Sequence, residues 1–163
     1  MERHTTNEFW LGLHMLALKE ALNEIDFYQY PKNEADFKKR TIMQYKSLRS
    51  FTDLYYSFKE IVKKILPLLK DEIENFYNNS AKEMANDIKH ANVDLVLVQY
   101  IHGLVLNPPN SAPLDEETVK NFYLNHPSRE SFKYFNDDTF DICKKAYDEL
   151  NLFYIENIKS HIN

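Results

Sequence analysis

Lys82, Asn86 and His90 stand four residues apart, so on a helix they form one line along a single face. Asp87 lies one turn before His90, and Lys89 adjoins it. An imidazole, an amide and two ammonium groups gathered on so short a segment can hold a phosphate, and an imidazole exchanges protons near neutral pH. His90 and Asn86 are therefore the candidate catalytic residues, and Lys82, Asp87 and Lys89 the candidate binding residues. The plainer reading of His90 is structural. A histidine in the last turn of a helix interacts well with the terminal carbonyls, and Asn92 can help end the same helix.

The run Asn86-Asp87-Ile88-Lys89-His90 resembles the motif ending of HEPN-domain proteins. These are small helical bundles, many of them dimers. Several are ribonucleases of toxin–antitoxin, abortive-infection and CRISPR-linked defence systems. Their motif is an arginine, usually followed by asparagine or another polar residue, with a histidine about four to six residues beyond the arginine near the end of a late helix. The resemblance implies a protein of RNA processing or defence in which arginine and histidine of two protomers meet at the dimer seam. There a ribose 2′-OH attacks its own phosphate without metal and leaves a 2′,3′-cyclic phosphate. His90 would then transfer the proton or donate to the phosphate. Asn86 would orient either group, and Lys82 and Lys89 would supply positive charge. Asp87 would hold the imidazole or repel a misplaced phosphate.

This chain departs from that pattern at the arginine. Ala85 stands before Asn86, and Glu83 and Met84 precede it. A lysine does not replace the fixed bidentate fork of a guanidinium. Some members carry a tyrosine two residues after the histidine, where this chain has Asn92. The alternative is a non-enzymatic helical module that dimerises or binds a protein partner.

Other chemistries find less support. Asp87-x-x-His90 has metal-ligand spacing, but a di-metal bundle needs further Glu-x-x-His copies and none is present, so no metal is expected. His14 lies in an apolar stretch and reads as a hydrogen-bonded core residue, while His102 and His126 fall near loops. Lys38-Lys39-Arg40 reads as a solvated helix face, and Tyr55-Tyr56 as core or dimer contacts. Gly12 and Gly103 are the only glycines, which excludes P-loops and Rossmann turns, and no cofactor is expected. The net charge of −5 argues against a broad nucleic-acid footprint, so any RNA contact is local.

These residues must be positioned by helices. Scarce glycine and long Lys/Glu/Leu/Ile tracts predict an all-α, up-and-down bundle of about four main helices in a single domain, residues 1–163. The first helix is capped at Thr5 to Glu8, carries Phe9, Trp10, Leu13, Leu16, Ala17, Ala21 and Ile25 in its apolar set, and is widened by Leu11, Met15, Leu18 and Leu22. The aromatic run Phe27 to Pro31 ends it. The second starts at Asn33 and carries a heptad-like stripe from Phe37 through Tyr45, Leu48, Tyr55, Phe58 and Val62 to Ile65, until Pro67 breaks it at Leu66. A short piece runs from Pro67 to Tyr77, and Ser80 caps the motif helix, 81–90. The stretch 93–106 is open between strand and buried helix. Residues 107–113 form a loop, 115–124 a short helix, and the chain is irregular to Asp137. Asp138 caps the last helix, about 139–161. The first two helices offer enough apolar surface to predict a homodimer. No stretch is long and apolar enough to cross a membrane, and the lone Cys143 suits a reducing compartment, the cytoplasm.

Overall fold

The computed structural model describes residues 6–29, 37–90, 95–101, 104–106 and 128–161. The described chain is mostly helical. Its helices are α1 (Asn7–Gln29), α2 (Phe37–Ile65), α3 (Lys70–Phe76, entered through a 3-10 turn at Pro67–Leu69), α4 (Ser80–Lys89) and α5 (Thr139–Phe153). A π turn, Tyr154–Ile158, and a 3-10 turn, Lys159–His161, follow α5. Strands β1 (Leu95–Ile101), β2 (Leu104–Leu106), β3 (Ser128–Tyr134) and β4 (Asp137–Asp138) form a four-stranded sheet in the order β2-β1-β3-β4.

The mostly helical character expected from sequence holds, and a small sheet is added to it, partly within the stretch 93–106 that the sequence leaves open between strand and helix. Val93 to Leu106 was the ambiguous stretch, and its described part is strand. Residues 128–134, irregular by sequence pattern, pair with β1 in antiparallel register from Leu95↔Tyr134 to Ile101↔Ser128. Their charged residues dilute the apolar alternation by which a strand is recognised. β3 and β4 are joined through Phe135, whose φ of 54° lies in the left-handed region that glycine favours. The predicted loop at 107–113, the helix at 115–124, His102 and His126 lie outside the described residues.

α1 and α2 form an antiparallel pair, because Glu24 of late α1 accepts a hydrogen bond from Ser47 of early α2 (3.1 Å), while the rings of His14 and Phe58 meet at the opposite end. On α1 the inward stripe is Leu11, Met15, Leu18, Leu22 and Ile25. Of the set expected to lead, Phe9, Trp10, Leu13 and Leu16 are exposed and Ala17 is half-buried, whereas Ala21 and Ile25 are buried. Both stripes have helical spacing, so periodicity alone cannot say which faces the core. The helix continues past Ile25 because Gln29, 1% exposed, extends the inward stripe and reaches Ser131 on β3. Thr6 Oγ1 caps α1 by accepting from the Phe9 N–H at 3.1 Å, whereas Thr5 and Asn33 lie outside the described residues. On α2, Leu48, Phe51, Tyr55, Phe58 and Val62 are buried, and the helix ends before Leu66-Pro67 as the proline requires. They join α3, α4, β3 and α5 around one hydrophobic core.

Two caps fix the ends of the elements around the site. Asp138 Oδ1 accepts from the Phe140 N–H (2.9 Å) at the start of α5. At α4 the cap is Asn79 rather than Ser80. Its Oδ1 accepts from the Lys82 N–H at 3.0 Å, and its Nδ2 donates to the Tyr55 hydroxyl at 3.0 Å, joining helix start to core. Asn79→Ala removes both contacts and is expected to destabilise the fold by about 1–2 kcal/mol. Urea unfolding should show a lower midpoint at unchanged m-value, and an unchanged midpoint would disprove the dual role.

Candidate functional site

The amphipathic split of α4 is observed. Ala81, Met84, Ala85 and Ile88 are buried, whereas Asn86, Lys89 and His90 are exposed and Lys82 is half-buried. The hydrophobic arc is what holds the helix against α2 and α5, and it leaves Lys82, Asn86 and His90 on the outside. His90 is the C-cap, with φ −93° and ψ 10°, and its backbone N–H donates to the Asn86 carbonyl at 3.0 Å. Among the described residues, no side-chain hydrogen bond is made by Asn86 or His90.

The remaining candidates are engaged elsewhere. The Asp87 carboxylate accepts the Tyr134 hydroxyl of β3, which ties α4 to the sheet. Lys89 Nζ sits 4.2 Å from the centroid of the Tyr56 ring on α2, a cation–π contact. Lys59 Nζ approaches the same ring at 5.4 Å. Tyr56 is thus flanked by two ammonium groups. Lys59 also lies 3.7 Å from Glu74, and Lys63 donates to that carboxylate, which is held below the ordinary carboxylate range by this hydrogen bond. Ala85, the position that the family motif would give to arginine, is 3% exposed and faces the core.

A second polar constellation was missed from sequence. Arg40, which with Lys38 and Lys39 has the sequence pattern of a solvated run, is 7% exposed and donates to Glu130 Oε2 at 3.3 Å. Thr41 donates to Glu130 Oε1, and Gln44 Nε2 to the Glu130 carbonyl at 2.8 Å. On the same strand Arg129 reaches Gln29 Oε1 (3.4 Å) and Asp138 Oδ2 (3.2 Å). This network pins the end of α1 and the start of α2 to β3. A signal for it existed: Gln29, Arg40 and Gln44 all fall on inward positions of otherwise apolar stripes. Gln44 Oε1 is buried and accepts nothing among the described residues.

An open cavity of about 290 Å³ lies between the start of α4 and α5, lined in part by Asn79, Asp137, Asp141, Lys145 and Glu149. Burial, with the nearby Asp138 charge, pushes the Asp141 carboxyl above its ordinary range. His14 donates from Nδ1 to the Trp10 carbonyl at 3.1 Å and packs between the Trp10 and Phe58 rings, a structural role. No group of three or more His, Cys, Asp or Glu side chains able to hold a metal occurs among the described residues. No described helix is long and apolar enough to cross a membrane. No family model matches this chain, and the searches of curated proteins and of solved structures return no match.

Proposed function

We propose that this chain is a non-catalytic helical interaction module, in which the outer row of half-buried Lys82 and exposed Asn86 and His90 makes contacts rather than cleaves a bond. The observation that carries this reading is Ala85. Its side chain is buried at 3% exposure, so the turn before Asn86 presents no guanidinium to the surface that holds His90. Asp87 and Lys89 support it, because one is bound by Tyr134 and the other lies over Tyr56. What faces outward is one amide, one imidazole and two ammonium groups, Lys82 half-buried and Lys89 exposed over the Tyr56 ring, a set that binds anionic or polar groups without a fixed bidentate clamp.

The second reading is a HEPN-like, metal-independent ribonuclease, and the exposed Asn86 and His90 one turn apart favour it. Labelled single-stranded RNA in EDTA separates the two. Wild type and His90→Ala are expected to be equally inert and equally folded, since the His90 side chain is exposed and its replacement changes stability by no more than about 0.5 kcal/mol. Ala85→Arg is expected to destabilise the chain rather than to confer cleavage, because it drives a charge into the core. Cleavage by wild type that leaves a 2′,3′-cyclic phosphate, and that His90→Ala abolishes without unfolding, would overturn the module reading.

A further inference from the structure

Phe9, Trp10, Leu13 and Leu16 are 57%, 42%, 43% and 69% exposed, on the side of α1 turned away from the core. The steps of four and three from Phe9 to Leu13 to Leu16 repeat the seam spacing of paired helices. Together these side chains leave roughly 400 Å² of apolar surface in water. A standard interface takes about 800 Å² from each partner, a little over half of it non-polar. The patch therefore has the apolar share of one side of such an interface.

We propose that this face of α1 pairs antiparallel with the same face of a second copy, about a two-fold axis near Leu13. Glu20 sets the direction. It follows Leu13 by seven residues on the same outward face, and Thr6 precedes Leu13 by the same number. Antiparallel pairing brings Glu20 of each copy opposite Thr6 of the other α1, near a first turn whose N–H groups beyond the Thr6 cap carry partial positive charge and whose own acid, Glu8, is two residues on from Thr6. Parallel pairing sets Glu20 against Glu20, with like charges in contact. A two-fold contact of this kind is closed, so association stops at the dimer. α4 packs on α2 and α5, so the pairing leaves the row with His90 outside the seam. The inference goes beyond the reading of α4 and does not depend on it.

Light scattering and sedimentation on the full chain test the pairing without any RNA or other partner. The expected species at about 100 µM is a dimer, twice the 19.5 kDa of the chain. Leu13→Glu places two carboxylates at the axis and is expected to weaken the dimer about 100-fold or more with the far-UV spectrum unchanged. Glu20→Lys is expected to weaken it about three- to fivefold. A short bis-maleimide should join two copies of Leu13→Cys but not of Leu68→Cys, which is 90% exposed on the turn before α3; the native Cys143 is 0% exposed and does not compete. A monomer throughout the concentration range, a dimer indifferent to Leu13→Glu, or equal cross-linking of both cysteine variants would overturn the proposal. None of these results bears on RNA cleavage, so the α4 reading stands or falls separately.

Discussion

Glu130→Ala is expected to destabilise the protein by about 3–5 kcal/mol, the range for breaking a buried ion pair by removing one partner. Glu130 and Arg40 side chains are 3% and 7% exposed, so the guanidinium deprived of this carboxylate stays in a poorly solvated place. The carboxylate also accepts from Thr41, a hydrogen bond lost in the same variant. At about 2–4 °C per kcal/mol for a chain of this size, the melting temperature should drop by roughly 6–20 °C. Arg40→Ala should fall in the same energetic range. Replacing both partners by apolar residues of similar volume should cost much less than the two single changes added, since the desolvation cost of the pair and its mutual attraction are then removed together. Urea denaturation of the four proteins gives the coupling. Single variants within about 1 kcal/mol of wild type would mean that the pair behaves like a solvated surface bridge.

A steep loss of stability above pH 10 is the second large effect expected. Burial raises the Tyr55 and Tyr77 hydroxyls above their ordinary value of 10.0, and the Cys143 thiol above 9.0. Each group is neutral in the fold at a pH where the unfolded chain has already lost the proton. Their contribution is therefore complete below pH 9, and is lost as pH rises through the ordinary values towards the raised ones. Each group contributes a slope of about 1.4 kcal/mol per pH unit once the unfolded form is ionised, and all three together about 4 kcal/mol per unit above pH 10. Against a total stability of about 5–15 kcal/mol, a rise of a few pH units is enough to unfold the chain. Tyr77 donates to the Tyr55 carbonyl at 2.8 Å, so Tyr77→Phe should lower stability at pH 8 by about 1 kcal/mol while making the alkaline slope shallower. The check is urea midpoints from pH 8 to 11 together with phenolate absorbance. Ionisation of these two tyrosines ahead of unfolding would contradict the burial argument.

The heptad-like stripe of α2, its stop at Leu66-Pro67, the inward arc of α4 and the Asp138 cap were all legible from residue order. Each depends on interactions between neighbours a few residues apart, and such interactions repeat with the helical period. The outer line through Lys82, Asn86 and His90 was legible for the same reason. Its chemistry was not, because the Tyr134 hydroxyl that engages Asp87 comes from a strand 47 residues away. Arg40 shows the same limit more sharply. Beside Lys38 and Lys39 it looks solvated, and it becomes a buried partner because β3, 90 residues on, brings Glu130 against it. The choice between the two apolar stripes of α1 likewise needed the packed molecule. Leu11 and Leu13 are equally apolar, and only the position of α2 and α5 turns one inward and leaves the other to water. Local spacing decides which residues share a face, whereas contacts between distant segments decide what that face meets.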